Sequence, residues 1–426
     1  MMVRPLRALA AVGSLLLAMA ARAQDTPPKA PDPTITTTMD AAESDGDLPK
    51  DSIVKNFNEY VWGRFSLRWG GGFLYDYNAY SQTDDSKEQL TVRAQTGLRD
   101  FRVLLKGKLF LPRLTYTLGY MYNKAGDDWR FRQTGVMIDI PEAYGSFFIG
   151  RTKEAFSTSK MMVGYQGWTN ERASINDAFL PILADGIKWQ GYTPGGKIVY
   201  RLGFFKDTRS QDESFNKNDQ QSIARVAWLP FGAEKRLLHL VLQYRRGRSN
   251  DGTLQYRSKP ESYLAQEYAI DTGKFAADHS NMYGVEAYYR PGPLMYGMEY
   301  MFNQVSAPAS GDPFLHGGEI FAAWSVTGET RPYNARGSYF EKIEPAPARS
   351  VFSGGPGAWE VVLRGSYANL DDAAIQGGTF WRITPMVNWH MSGNVRLEFV
   401  YGYGMLDRFG IHGATQFFQT RLQLQL

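Results

Sequence analysis

Residues able to do covalent or metal chemistry are few and badly spaced. Cysteine is absent, which excludes disulfides and thiolate metal sites. The histidines His239, His279, His316, His390 and His412 are scattered, and none reaches the H-x-x-x-H spacing that puts two imidazoles on one helix face. No nucleophile motif accompanies any of them, so neither a metal nor a cofactor is expected. What remains is the chemistry of 47 Lys and Arg. Arginine offers a planar fork of N–H donors and lysine a compact charge, both suited to holding an anion. Their number says little, because 43 Asp and Glu nearly balance them. Their positions say more.

Those positions follow a period of two. In "RDFRVLLKGK", Phe101, Val103 and Leu105 alternate with Arg102, Lys106 and Lys108. Arg201, Arg245, Arg364 and Arg396 fall on polar faces by the same test. Asp100 shares the face of Arg102 and is placed to offset its charge. Arg99 has the opposite parity, unless a bulge intervenes or it lies above the membrane. "RLTYTLGYMY" (Arg113–Tyr122), "NVRLEFVYGYGML" (Asn394–Leu406) and the final "TRLQLQL" alternate likewise. This is the signature of extended strands with one apolar face.

The strands run to about ten residues, longer than is usual in soluble sandwiches. Their polar faces mix Gly with Arg, as a water-filled lumen would. Aromatic residues gather at strand ends (Trp62, Trp69, Tyr75, Tyr77, Tyr288, Tyr289, Trp381, Trp389), where membrane interfaces would hold them. In lipid every backbone polar group must be paired, so strands cross only as a closed barrel. The expectation is an all-β, transmembrane antiparallel β-barrel of 16 strands between about residues 60 and 426, even in number as bacterial barrels require. Connections after even-numbered strands are short ("FLPR", "DIPE", "RPGP", "MSG") and those after odd-numbered strands mostly longer, which fits short periplasmic turns and longer outer loops. Residues 329–357 break the rule: either that turn is elaborated or the count is off by a strand pair nearby.

The start, "MMVRPLRALAAVGSLLLAMAARAQD", has a basic first stretch, an apolar core and an A-x-A site at Ala21–Ala23, which reads as a secretory signal over residues 1–23. Its removal would take away Arg4, Arg7 and Arg22 and lower the formal charge from +4 to +1, so nucleic-acid binding is not expected. Residues 24–59, rich in Pro, Thr and Asp at first, read as a disordered polar leader.

Several stretches resemble the phosphate-selective porin O/P family: "TGETRPYNARGSYFEKIEP" followed by "GAWEVVLRGSYANL", "GRTKEAF" then "NERASINDAF", "YRSKPESYLAQEYAIDTGKF", and "RITPMVNWHMSGNVRLEFVY" with His390 where the family has Tyr. The resemblance spans roughly Tyr60 to Leu426. It implies an outer-membrane porin, a homotrimer, that passes small phosphate-like anions along Arg and Lys to a constriction built by an infolded third outer loop. The last strand also resembles the signal read by the outer-membrane insertion machinery. Outer-membrane lipid and lipopolysaccharide would surround the barrel. On this reading, residues 151–183 are the infolded loop and Lys153 and Lys160 its constriction candidates. Arg257 and Lys259 would be collectors at the mouth, and Arg102, Arg201, Arg364 and Arg396 anion-binding wall positions. The alternatives are a general, weakly selective porin, which acids near Lys153 favour, and a structural or adhesive barrel, which needs no Arg-rich interior. A barrel enzyme would need a Ser–His pair on adjacent strands. Only His239 and His412 stand on compatible faces, without a nucleophile motif.

Overall fold

The computed structural model describes residues 35–36, 54–123, 128–162, 164–206, 219–233 and 235–426. The signal segment and most of the leader lie outside these residues. Inside the leader span, Ile35–Thr36 lies parallel to Tyr333–Asn334. Val54–Asn56 already pairs with Glu59–Trp62, which in turn pairs with the barrel.

Antiparallel strands close into one barrel of sixteen. In chain order they are β1 Phe65–Gln82, β2 Gln95–Lys108, β3 Leu114–Asn123 and β4 Asp128–Ile140. Then come β5 Gly145–Thr152, β6 Ala184–Tyr192, β7 Ile198–Lys206 and β8 Gln220–Ala233. The second half holds β9 Arg236–Arg248, β10 His279–Pro291, β11 Leu294–Ser306 and β12 Phe314–Ser325. Last are β13 Ala358–Asp372, β14 Ile375–His390, β15 Val395–Arg408 and β16 Ile411–Gln425. β16 pairs with β1 from Thr415↔Gln82 to Gln425↔Gly72, so no strand edge is left open to lipid.

The alternation read from sequence sorts the faces. On β16, Gln419, Arg421 and Gln423 are buried inward while Phe418 and Leu424 are exposed outward. One belt assignment fails: Tyr288 is fully buried in the interior and donates to Glu299. The count of sixteen stands, and residues 326–357, which join β12 to β13 at the end where β1 begins and β16 finishes, are an elaborated connection.

That connection enters the barrel, as do residues 153–183 between β5 and β6 and residues 249–278 between β9 and β10. Together they fill much of the interior. One apolar cluster gathers Phe156, Phe179, Tyr256 and Leu370. A second joins Trp168 of the 153–183 segment to Tyr333 and Phe340 of the 326–357 segment. Trp168 stacks on Phe321 with centroids 4.5 Å apart. The 153–183 segment carries two short helices, α1 Thr158–Met161 and α2 Ser174–Phe179.

Candidate functional site

The 153–183 segment is tied to the wall by polar groups at almost every turn. Ser157, at φ 64°, makes the corner where the chain swings inward and caps α1. Its N–H donates to Gln243 at 3.0 Å and its hydroxyl to Glu299 at 2.5 Å. Thr158 donates its N–H to Glu286 at 3.0 Å, and Ser159 its N–H to Glu299 at 2.7 Å. Glu286 and Glu299 are cross-strand neighbours, and Glu299 faces Glu319 in turn. This acidic row would be costly to bury without such donors.

Arginines hold the same segment elsewhere. Arg245 forks onto Glu154 at 2.6 and 3.2 Å. Arg364 donates to the Glu171 carbonyl at 2.6 Å, and Arg396 to the Gly167 carbonyl at 2.8 Å. Arg421 bridges Asp76 at 2.6 Å and Glu171 at 2.5 Å. The 249–278 segment is held at Glu261, which pairs with Arg364 and Arg382 and accepts from the Ser174 N–H. The 326–357 segment is held by Arg331 on Glu360 at 2.6 Å, Arg225 on Ser338 at 2.9 Å, and Arg201 on the Gly337 carbonyl.

Between the 153–183 and 249–278 segments and strands β1 to β4 lies a cavity of about 460 Å³. Its border, among the described residues, has six arginines (Arg99, Arg102, Arg130, Arg132, Arg172, Arg421), three lysines (Lys153, Lys160, Lys259) and four acids (Asp100, Glu171, Asp177, Glu261). One cross-strand row runs Gly72, Arg102, Met121, Arg130 from β1 to β4. A side chain at Gly72 would come within 3.0 Å of the Tyr165 ring, so glycine there lets Tyr165 lie against the wall.

The expected residues separate into two groups. Arg102, Lys153, Lys160 and Lys259 border the cavity. Arg364 and Arg396 do not: both are buried and engaged with the infolded loop. Arg201 is buried beside a smaller space of about 90 Å³ and donates to Gln190 at 2.6 Å. Arg257 stacks on Tyr268 at 4.3 Å. Lys259 borders the cavity, and its ammonium donates to the Tyr263 carbonyl at 2.9 Å.

Charge compensation differs among them. Lys160 is paired with Asp177 at 2.7 Å, and Arg102 with Asp100. Lys153 donates to the carbonyls of Met161 and Met162. Burial, then the charges of Arg172 and Arg102, push its ammonium well below the usual lysine range. Burial and then Arg99 bring Lys259 down to about 8. Burial pushes the Glu171 carboxyl up, but Arg99 and Arg421 outweigh it and hold the group at about 2.

Arg99, Arg130 and Arg132 extend the site beyond the residues singled out from sequence. Arg130 and Arg132 alternate with outward Trp129 and Phe131, so parity alone identifies them. Arg99 needed the structure. The pairing slips from Leu74↔Asp100 to Tyr75↔Leu98. The bulge turns Arg99 inward, onto Glu171 at 2.7 Å.

A closed sixteen-stranded barrel with infolded loops around a basic cavity is the architecture of an outer-membrane porin. The chain belongs to the family described as phosphate-selective porin O and P, which it matches over residues 67–426, and its place is the bacterial outer membrane. It is 21% identical over 230 residues to porin O of Pseudomonas aeruginosa, covering 47% of this chain and 51% of that one. It is 25% identical over 253 residues to an uncharacterized protein of Caulobacter vibrioides, covering 58% and 50%. The chain thus spans about half the length of these curated relatives. An anion-selective porin from Comamonas acidovorans has the same fold, with a TM-score of 0.53 at 12% identity, covering 85% of this chain and all of that one. So does the outer-membrane channel DcaP of Acinetobacter baumannii, with a TM-score of 0.54 at 8% identity, covering 85% and 97%. Family and fold are those of channel proteins.

Proposed function

We propose that the protein passes small anions, phosphate and related oxyanions among them, by diffusion past the basic cavity. The observation that carries this reading is the excess of nine Arg and Lys over four Asp and Glu on the cavity border. An anion leaving water needs several N–H donors and positive charge. It must also leave again, so several moderate contacts serve conduction better than one deep site. Arg102, Lys153 and Lys259 are the contacts, Asp100 and Asp177 lower what Arg102 and Lys160 contribute, and Arg257 lies on the approach. The 151–183 loop forms the constriction. Arg201, Arg364 and Arg396 act at one remove, by holding loops in place. The family resemblance adds a homotrimer in lipopolysaccharide-bearing membrane, inserted by the outer-membrane machinery.

A general porin with weak selectivity is the second reading, favoured by the ion pairs Arg102–Asp100 and Lys160–Asp177. Reversal potentials in planar bilayers under a potassium chloride gradient decide between them. The proposal expects a potential of the anion-selective sign. A value near zero would favour the general porin.

A further inference from the structure

Bare oxyanions need donors and nothing else, yet this cavity offers apolar surface beside its charges. Met121 sits between Arg102 and Arg130 in the cross-strand row. Leu104 follows Arg102 on the same inward face, and Ile182 closes the opposite side from the loop. Water against such surface gains nothing from a phosphate passing by, whereas a flat hydrocarbon body would displace it favourably.

Aromatic faces are already laid on the guanidinium groups here. The Tyr263 ring lies over Arg99 at 3.9 Å, while the same Arg99 forks onto the Glu171 carboxylate at 2.7 and 3.0 Å. The protein itself thus presents a ring stacked on an arginine that binds a carboxylate. Arg102 has the Tyr165 ring on one side at 5.4 Å. Guanidinium groups stack on π-faces without losing their in-plane donors. A volume of about 460 Å³ falls in the range of pockets that hold small organic ligands, about 300–1,000 Å³.

We propose that the cavity prefers organic anions carrying a carboxylate or phosphate head on a flat apolar body, the size of benzoate or phenyl phosphate, over the bare acids. The head meets Arg102 and Lys153, and the body lies against Met121 and Leu104. This rests on the anion-channel reading and refines it.

The test is block of chloride current in planar bilayers at constant ionic strength, comparing benzoate with acetate and phenyl phosphate with inorganic phosphate. Each aromatic member is expected to half-block at a concentration about fivefold lower than its partner, the scale of one aromatic contact. The two pairs also show which head is preferred. Met121→Gln keeps the side chain's length and removes its apolar character. It should bring the ratio of aromatic to bare-acid block toward unity, whatever it does to acetate block itself, and Leu104→Gln is the second variant if the first does not fold. Equal block by benzoate and acetate, in a channel whose reversal potential is still anion-selective, overturns this inference and leaves the reading intact. A reversal potential without anion preference overturns both. An aromatic advantage that survives both substitutions overturns the assignment to this cavity.

Discussion

Two halves of the inner wall use the same residue type for opposite ends. From β7 round to β16, inward arginines end on protein: Arg225 on Glu286 and Ser338, Arg245 on Glu154, Arg364 on Glu261, Arg421 on Asp76 and Glu171. Almost no exposure is left to them. On β2 to β4, Arg102, Arg130 and Arg132 stay partly accessible around the cavity. The difference teaches that counting lumen arginines overstates selectivity. A buried guanidinium must be matched by a partner, and most of the partners here are the infolded loops. Apart from Arg99 on β2, which ends on Glu171, one half of the wall fixes the loops, and on the proposed function the other acts on what passes.

The largest test of that contrast removes an anchor. Arg421→Met would leave Asp76 and Glu171 buried with less compensation, a loss of about 3–5 kcal/mol for a broken buried pair. Urea unfolding of the refolded barrel should show it, and single-channel records should become noisier as the loop loosens. Arg130→Met on the cavity wall, whose partner Asp128 is half open to solvent, should change unfolding by less than about 1 kcal/mol yet reduce anion preference. Similar unfolding for the two variants would erase the distinction.

Next in size is the pair of loop lysines. Lys153→Ala should weaken phosphate block of chloride current about tenfold, the value of one charge-assisted hydrogen bond, because an arriving anion restores the charge that burial and the neighbouring arginines disfavour. Lys160→Ala should do much less to block, since the pairing with Asp177 already cancels its charge. An equal loss for both would mean that Asp177 does not shield Lys160.

Asp100→Asn sharpens the same point in the other direction. Relieved of its carboxylate partner, Arg102 should raise the anion permeability ratio, read as a larger reversal potential. A fall would show that Asp100 matters for holding Arg102 in place rather than for offsetting it.

The smallest effect is a titration. Lys259 is pushed down to about 8 from 10.5. It is charged below that value and neutral above it, so anion preference should drop by one charge's worth between pH 7 and pH 9. Lys259→Arg should remove the step. A flat profile in the parent protein would place the ammonium in ordinary solvent. Glu171 runs the opposite way: its carboxyl is held at about 2, below its ordinary 4.5. Its contribution to the loop anchor is complete above the unfolded value and is lost only as pH falls through about 2.

How much of this was legible in the sequence follows from distance along the chain. Alternation is local, so the parity of Arg102 or Leu424 could be read from a few neighbours, and short turns marked the periplasmic end. The bulge at Arg99 left no local mark. Nor did the inward course of residues 326–357, where a long connection at the short-turn end gave only a warning. The membrane belt drew in Tyr288 because a tyrosine at a strand end looks the same whether it faces lipid or a packed interior.

The sequence by itself determined the barrel: a period of two, repeated sixteen times between turns, admits only a closed sheet once one face must meet lipid. The tertiary structure alone decided which cations border the cavity. Arg421 meets Glu171 across 250 residues, and Asn388 meets the Trp168 carbonyl across 220. Whether an inward arginine faces water or a carboxylate depends on where a loop from another part of the chain comes to rest. Local pairs such as Arg102–Asp100 and Arg130–Asp128 can be read from a few residues, but a partner on a distant loop leaves no mark there.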